Sequence, residues 1–283
     1  MFKIINKINV TGDVYIIEVE APRVAKSILP GQFVIIRADE KGERTPFPVC
    51  DFDTNKGTVS VVFKAIGSTA MELLKLEAND TIMNILGPIG QGSCIVSKDS
   101  DNLKNVLFVA DDLGFARIYP ELLWLNKKDI ASDVIINFQS SEEIKFKEKI
   151  VEVSRELIEV KDDIIDELKK TLNKGVEYDL VIAMGSTEMM REVSLITKEH
   201  NIKTIVSLTT LILDGTGMCG ACRITANGDV KFVCQDGPEF DAWTIDYEEV
   251  LRRQKFYSSF EAKEKYRREN DKKNEAAAGL EVE

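Results

Sequence analysis

Three of the chain's five cysteines lie close together in a glycine-rich stretch near the carboxyl end. Cys219 and Cys222 are separated by two residues, and Cys234 follows after eleven more. The residues between Cys222 and Cys234 alternate around an Asn-Gly pair, which predicts a β-hairpin that returns Cys234 to the other two thiols. Glycines within residues 215–220 allow tight turns that direct backbone N–H groups towards sulfur. This pattern predicts a metal centre or an iron–sulfur centre.

Three thiolates are one ligand short of the four that a zinc site or a [2Fe-2S] cluster takes. Asp214 stands five residues before Cys219, where C-x₄-C-x₂-C spacing places its first cysteine. We therefore predict that Asp214 is the fourth ligand. Structural zinc stays open because a carboxylate is also a zinc ligand. A third possibility is that the cysteines are reduced and buried as small apolar residues.

The residues from Asp214 to Cys222 and from Phe232 to Asp241 resemble a known family. They are similar to the small subunit of electron-bifurcating NADH-dependent ferredoxin:NADP oxidoreductase. The electron-transfer subunit of dihydroorotate dehydrogenase and the small subunit of sulfide dehydrogenase are its relatives, and the likeness extends to about Tyr257. The resemblance implies that a reduced nicotinamide passes hydride to FAD. Single electrons would then cross a [2Fe-2S] cluster to a larger flavoprotein/iron–sulfur oxidoreductase partner subunit in a heteromeric complex.

Composition limits the other possibilities. A chain of 283 residues with 44% hydrophobic residues suits two compact domains with appendages. A net charge of −11 argues against nucleic acid or an anionic membrane as partner. The sequence has no run of eighteen apolar residues and no signal-peptide pattern at its start, so we expect a cytoplasmic protein. The five cysteines are odd in number and mostly clustered, which favours a metal site in a reducing compartment over a disulfide framework.

Residues 1–97 show a pattern of short strands separated by turns. Apolar and β-branched residues form five segments, and turns that contain glycine or proline divide them. The predicted strands are Lys3–Val10, Val14–Ala21, Gln32–Ala38, Thr58–Ala65 and Thr81–Leu86. A short helix is predicted over residues 68–76. These elements predict a small antiparallel β-barrel.

The resemblance assigns FAD to this barrel. The expected flavin contacts are Arg44, Thr45, Pro46, Phe47, Pro48, Phe63, Gly67, Ser68 and Thr69. An arginine fork binds a pyrophosphate through two hydrogen bonds, and N–H groups at a helix amino terminus take further phosphate oxygens. Pro48 departs from the family motif because it offers the flavin ring neither a hydroxyl nor an N–H group. Without the resemblance, Arg44 would be interpreted as a surface ion-pair residue and the prolines as loop stiffeners.

Residues 98–207 change to strands that alternate with helices, which predicts a doubly wound parallel α/β domain. The predicted strands are 106–110, 133–138, 178–184 and 203–208, and the predicted helices are 115–125, 142–151, 162–172 and 187–199. In the resembled family this domain binds a nicotinamide dinucleotide. His200, the only histidine, ends the last of these helices and is predicted to be its carboxyl-terminal cap.

The turn after the first strand of this domain lacks the glycines that the family carries there. Asp111 and Asp112 stand in their place. Each carboxylate, at roughly 4 to 6 Å and an effective dielectric of about 20, repels a phosphate by about 3 to 4 kcal/mol. A glycine-rich segment of the family is replaced by the charged run 156–167, and a late glycine turn survives only as residues 185–190. We predict weak or no NAD(P) binding. The alternatives are that the acidic pair caps the helix or selects ribose hydroxyls in a retained site.

The chain thus divides into four parts. They are a FAD-binding β-barrel (1–97), a nucleotide-binding-like α/β domain (98–207), an iron–sulfur segment (208–246), and a carboxyl-terminal helix and tail (247–283). Within them, residues 236–241 are predicted to turn, residues 247–269 to form a charged helix, and Cys50 and Cys94 to be ordinary buried or half-buried thiols.

An electron-transfer subunit of a flavin/iron–sulfur oxidoreductase is the prediction that joins these parts. The alternatives are a scaffold or relay subunit without NAD(P) or FAD binding, a structural zinc protein, and a redox sensor. Hydrolytic chemistry has no support, because the sequence carries no serine triad, zinc-protease motif or Walker loop.

Overall fold

The computed structural model describes residues 1–137 and 144–255. The first domain is a curled, antiparallel sheet of seven strands in the order β6-β1-β2-β5-β4-β3-β7. Its strands are β1 Phe2–Thr11, β2 Val14–Glu20, β3 Phe33–Arg37, β4 Thr45–Asp53, β5 Thr58–Lys64, β6 Thr81–Ile82 and β7 Asn84–Ile89. Two short helices accompany them, α1 Pro22–Ser27 and α2 Ser68–Lys75. The predicted antiparallel barrel is confirmed as a half-barrel.

Strand β4 was missed by the sequence analysis because it contains Pro46 and Pro48, which normally argue against a central strand. Both prolines pair with β3, opposite Ile35 and Phe33. Pairing of β4 with β5 begins only at Val49. Each proline therefore lies where the strand has a single neighbour, and its missing N–H group costs little.

The second domain is a six-stranded sheet in the order β10-β9-β8-β11-β12-β15. Its strands are β8 Asn105–Ala110, β9 Ala131–Asn137, β10 Glu156–Val160, β11 Leu180–Met184, β12 Thr204–Ser207 and β15 Glu239–Asp241. All pairs are parallel except β12–β15. Strand β8 buries Leu107 and Val109 in one core and Phe108 in another, so both faces of the sheet are covered. The doubly wound prediction is confirmed.

The helices of this domain are α3 Gly114–Arg117, α4 Tyr119–Asn126, α5 Ile144–Val153, α6 Ile164–Leu172 and α7 Thr187–Glu199. The predicted single helix 115–125 is wrong, because the chain divides it at Ile118 and places Pro120 in the first turn of α4. Helix α7 ends at His200, as predicted. Helix α5 is described from residue 144, so the start of predicted helix 142–151 lies outside the described residues.

Two strands of this sheet were not predicted. Strand β10 begins the charged run 156–167, where exposed glutamates alternate with half-buried apolar residues at the edge of the sheet. Strand β15 lies within residues 236–241, so the predicted turn there is wrong beyond residue 238. Pairing with β12 explains this error, since three residues carry too short a pattern to predict a strand.

The segment between β12 and β15 contains the hairpin β13 Arg223–Ala226 and β14 Asp229–Phe232, followed by the short helix α8 Val233–Asp236. Helix α9, Tyr247–Lys255, then packs against α7 and β13. Predicted helix 247–269 is described only to residue 255, and the rest of that helix and the predicted tail lie outside the described residues. Across the described ranges, no helix is both long and apolar enough to cross a membrane.

Candidate functional site

A pocket of about 600 Å³ lies between the two domains. On one side it is lined by residues of β4, β5 and the start of α2, and on the other by residues that follow β8, β11 and β12. The carboxyl ends of parallel strands are the usual ligand-binding edge of such a sheet. The volume is in the usual range of about 300–1,000 Å³ for a small-molecule or cofactor site.

The structure brings eight of the nine predicted flavin-contacting residues to this pocket. They are Thr45, Pro46, Phe47, Pro48, Phe63, Gly67, Ser68 and Thr69. Arg44, the ninth, is exposed and does not line the pocket. Within the described ranges its guanidinium has no hydrogen bond or ion pair.

The amino end of helix α2 lines the pocket. Gly67 precedes the helix with φ of +87° and provides no side-chain cap. The first N–H groups of the helix are therefore without a side-chain acceptor and suit a phosphate. The hydroxyls of Thr45 and Thr69 lie 2.7 Å apart, which ties strand β4 to this end of the helix. Glu43 accepts a hydrogen bond from the Ser68 hydroxyl at 3.2 Å.

Aromatic side chains fix the barrel wall of the pocket. Phe47 and Phe63 are 4% and 3% exposed, and their rings meet edge to face with centroids 5.6 Å apart. Tyr15 stacks on Phe63 with centroids 6.1 Å apart. Phe47 and Phe63 thus belong to the barrel core as well as to the pocket, so their positions do not depend on a ligand.

Arg117 forms part of the opposite wall and was not predicted. Its guanidinium donates to the Ser207 hydroxyl at 2.5 Å, the Ser207 carbonyl at 3.3 Å and the Thr209 hydroxyl at 3.1 Å. Burial lowers the pKa of Arg117, while Glu239, Glu121 and Asp112 oppose that shift. The sequence shows only an arginine in a short helix, and its neighbours come from distant parts of the chain.

Asp111 occupies the edge of the sheet where a dinucleotide would approach α7. Its carboxylate accepts a hydrogen bond from the Ser186 N–H at 2.6 Å and another from the Ser186 hydroxyl. A Cβ atom added to Gly185 would lie 1.7 Å from Asp111 Oδ1. The carboxylate therefore fills the space above the surviving glycine and holds Ser186, whose own side chain caps the 13-residue helix α7 by accepting from the Met189 N–H.

Asp112 has a different role. Its carboxylate forms an ion pair with Lys64 of strand β5, which joins the two domains at the pocket. Helix α3 begins after Leu113 and has no side-chain cap. The alternative in which the acidic pair caps its own helix is therefore wrong, because Asp111 bonds to Ser186 before α7 and Asp112 to Lys64.

The hairpin predicted between the cysteines is confirmed. Asn227 and Gly228 have φ of +52° and +81°, as a two-residue turn of this type requires. The paired strands bring the sulfurs of Cys222 and Cys234 to 3.3 Å. Both side chains are buried, whereas Cys219 is exposed. Burial, followed by the neighbouring Cys222, raises the pKa of the Cys234 thiol to about 12.

Asp214 organises the loop before these cysteines. Its carboxylate accepts hydrogen bonds from the N–H groups of Thr216 at 2.9 Å and Cys219 at 3.0 Å. These bonds, that of Thr216 first, lower the pKa of Asp214. The carboxylate is therefore charged at neutral pH and lies within the same turn as Cys219.

Within residues 1–137 and 144–255, no three histidine, cysteine, aspartate or glutamate side chains converge closely enough to hold a metal ion. The donor set nevertheless suits an iron–sulfur cluster. Two thiols are already adjacent, and sulfurs on one tetrahedral metal at about 2.3 Å stand roughly 3.8 Å apart. Cys219 and Asp214 lie on a turn whose Gly215 and Gly217 have φ of +71° and +81°. Cys50 is buried and Cys94 half-buried, as predicted.

Fold and site together define the class. A curled antiparallel sheet followed by a parallel α/β domain is the ferredoxin-reductase-like fold, here with a carboxyl-terminal iron–sulfur binding domain. The family model for the iron–sulfur cluster binding domain of dihydroorotate dehydrogenase B matches residues 209–246. A solved ferredoxin–NADP⁺ reductase from Neisseria gonorrhoeae shares the fold alone, with a TM-score of 0.55, 16% identity and coverage of 70% of this chain and 89% of its own.

Two whole-length comparisons are more specific. A Thermotoga maritima homolog of the dihydroorotate dehydrogenase B electron transfer subunit is 34% identical, with 89% of each chain covered. A chain from the structure of NADH-dependent reduced ferredoxin–NADP oxidoreductase is 32% identical with a TM-score of 0.84, covering 95% of this chain and 97% of that one. The protein belongs to the family of dihydroorotate dehydrogenase B-type electron-transfer subunits. An uncharacterized Clostridium beijerinckii protein is 41% identical over 93% of both chains.

Proposed function

We propose that this protein holds FAD in the interdomain pocket and a [2Fe-2S] cluster in segment 208–246, and relays electrons between them and a larger flavoprotein/iron–sulfur partner subunit. One observation carries the proposal. Thr209, Thr210 and Ile212 line the pocket and lead directly into the cysteine loop that begins at Asp214. Flavin pocket and cluster loop are thus consecutive in the chain and adjacent in space.

The chain's own residues bind and orient the flavin. The free N–H groups at the start of α2 take phosphate oxygens, and exposed Arg44 neutralises the remaining phosphate charge. Phe47 and Phe63 provide a rigid apolar wall. Pro48 lies in the pocket with no donor to offer the flavin ring, so the ring is held by shape on this side. Bound flavin supplies the ability to accept two electrons together and release them singly.

The residues that would hold the cluster are Asp214, Cys219, Cys222 and Cys234. Cys222 and Cys234 already lie in contact at the base of the hairpin. A bound iron pair would stabilise the thiolate of Cys234, whose protonated form is otherwise favoured by burial. A carboxylate in place of one thiolate changes the charge and softness of the ligand set and hence the cluster's potential.

Nicotinamide binding by this subunit is weak in our proposal. Asp111 fills the space above Gly185 and places a negative charge where a pyrophosphate would lie. This observation favours a second candidate, a relay subunit that has lost NAD(P) binding and receives its electrons through the partner. The two candidates differ in whether NADH alone reduces the bound flavin.

A cofactor inventory on anaerobically purified full-length protein tests the cluster. We expect iron and acid-labile sulfide in equal amounts, with no zinc. Asp214→Ala should lose most of both, whereas the exposed Asp229→Ala in the same segment should retain them. Zinc in place of iron, or an unchanged visible spectrum in Asp214→Ala, would refute the ligand assignment.

Flavin analysis of the same samples tests the pocket. We expect FAD bound to the wild-type protein and its yellow colour bleached by dithionite. Bleaching by NADH without a partner would favour the complete reductase, and its absence would favour the relay subunit. Protein that carries the cluster but no flavin would contradict our assignment of FAD to the pocket.

A further inference from the structure

Two glutamates face each other behind the flavin pocket. Glu121 is in the first turn of α4 and is fully buried, and Glu239 begins the edge strand β15. All four carboxyl oxygens are shielded from solvent, and no hydrogen-bond partner reaches them within the described ranges. Two bare carboxylates so placed would be very costly, because burial without a donor strongly disfavours charge.

A proton bound between the two carboxyl groups would remove this cost. A proton on one carboxyl provides a donor that the other can accept, and it removes one of two like charges. Burial first, and then the negative charge of the neighbouring Glu239, raise the pKa of Glu121 well above its ordinary value. Geometry and electrostatics agree that the pair is not doubly ionised at neutral pH.

Neighbouring groups connect the pair to the pocket. A Cβ atom added to Gly31, which lines the pocket, would lie 2.7 Å from Glu239 Oε1 and 3.1 Å from Ser93 Cβ. The Gly31 backbone, which lines the pocket, therefore packs directly against the Glu239 carboxylate. Arg117, on the opposite wall, is influenced by the charges of both glutamates.

The other charged or titratable groups around the pair come from three further elements. Cys94 is in the 3₁₀ helix Cys94–Val96, and burial followed by the Glu239 charge raises the pKa of its thiol to about 11. Asp112 precedes α3 and acts on Arg117. Lys203 precedes β12 and acts on Cys94. Among these groups, Arg117 is the cation on which both glutamates act.

We propose that Glu121 and Glu239 share one proton and form a proton-uptake site that responds to the charge of the flavin pocket. The inference rests on the proposed flavin site. Reduction by two electrons and one proton adds one negative charge to the pocket. The pair, which carries one proton and one negative charge, then takes a second proton from solvent, so the total charge of pocket and pair is unchanged.

The first test needs no flavin. The folded pKa of Glu121 is raised, so the stabilisation from its proton is complete below the ordinary glutamate pKa of about 4.3 and is lost as pH rises through the folded value. Urea unfolding of the flavin-free full chain should be followed from about pH 5 to about pH 9. Between the two pKa values, the ratio of folded to unfolded wild-type protein, relative to the same ratio for Glu121→Gln, should fall by about tenfold per pH unit.

Glu239→Gln should give the same result as Glu121→Gln, because either amide replaces the shared proton with a permanent donor. Glu192→Gln, at an exposed position of α7, should follow the wild-type pH dependence. Parallel pH dependences of wild type, Glu121→Gln and Glu239→Gln would overturn the shared proton. If one variant fails to fold, the other still decides.

The second test uses flavin-loaded protein. The pH dependence of the flavin midpoint potential, measured with dithionite, counts the protons taken up per two electrons. Wild type should take up close to one more proton than Glu121→Gln in the pH range where the pair titrates. Equal proton counts would overturn the link to the pocket. If the pocket binds no flavin, the proposed function fails, whereas the unfolding test still decides whether a proton is shared.

Discussion

Replacing Asp111 tests why this subunit should bind nicotinamide dinucleotides weakly. Asp111→Gly clears the space that the carboxylate occupies above Gly185 and frees the Ser186 N–H group, which now donates at 2.6 Å. Asp111→Asn removes only the charge. Because the helix behind Ser186 has 13 residues, its freed amino end becomes a site for a phosphate.

The expected gain in affinity follows from the removed charge. At roughly 5 Å and an effective dielectric of about 20, one carboxylate repels one phosphate charge by about 3 kcal/mol, or about a hundredfold in affinity. Salt screening reduces this figure, so we expect NADH to bind at least about tenfold more tightly to Asp111→Gly. Stability should fall by about 1–2 kcal/mol, because the Ser186 N–H and hydroxyl lose the carboxylate that accepts from them, while the Ser186 side chain still caps α7.

Calorimetric titration of full-length, flavin-loaded protein with NADH measures the affinity, and urea unfolding measures the stability. Asp129→Asn is the control. Asp129 is an exposed aspartate in the turn before β9, at the amino-terminal end of the parallel strands and therefore away from the pocket. Asp111→Asn should give part of the gain. An unchanged NADH affinity in Asp111→Gly, or tight NADH binding by the wild type, would refute the reasoning.

Three further predictions concern the pocket and its supports. Thr45→Val breaks the 2.7 Å bond to Thr69 and should weaken FAD binding by about two- to tenfold, measured by flavin fluorescence, whereas Thr81→Val in β6 should not. Asp133 is buried and accepts from Tyr178 at 2.7 Å and Arg155 at 2.8 Å, so Asp133→Asn should lower the urea-unfolding free energy by about 2 kcal/mol; an unchanged midpoint would contradict this. Gly185→Ala would place a Cβ atom 1.7 Å from Asp111 Oδ1 and should destabilise the protein in urea unfolding, but by less in Asp111→Gly; equal losses would contradict the contact.

Local patterns predicted much of the fold. The Asn227–Gly228 turn requires two positive φ angles that few other residue pairs adopt, so the hairpin could be located from two residues. The apolar runs of β8 and β11 predicted buried parallel strands. Strand β4 could not be predicted, because its two prolines are tolerated only where β5 does not yet pair with it.

The site was predictable where its residues are consecutive and not where they meet across the fold. Residues 45–48 and 67–69 are two short motifs that the structure places on one pocket. The sequence drew attention to Asp111, but its partner Ser186 is 75 residues away in the chain, so the hydrogen bond between them could not be predicted. Glu121 and Glu239 lie in a predicted helix and a predicted turn more than a hundred residues apart, and only the folded chain buries their carboxyl groups together.

The way strand β12 holds the cysteine segment has a mechanical consequence. Segment 208–238 leaves the sheet at the end of β12 and returns to it as β15, with Ser207 opposite Glu239 and Ile205 opposite Asp241. The Leu208 N–H group also donates to the Pro238 carbonyl at 2.9 Å, which closes the base of the excursion. Both ends of the segment are therefore held at a single strand, β12. Because Ser207 and Leu208 also line the interdomain pocket, one strand sets both the base of the cysteine segment and part of the pocket wall.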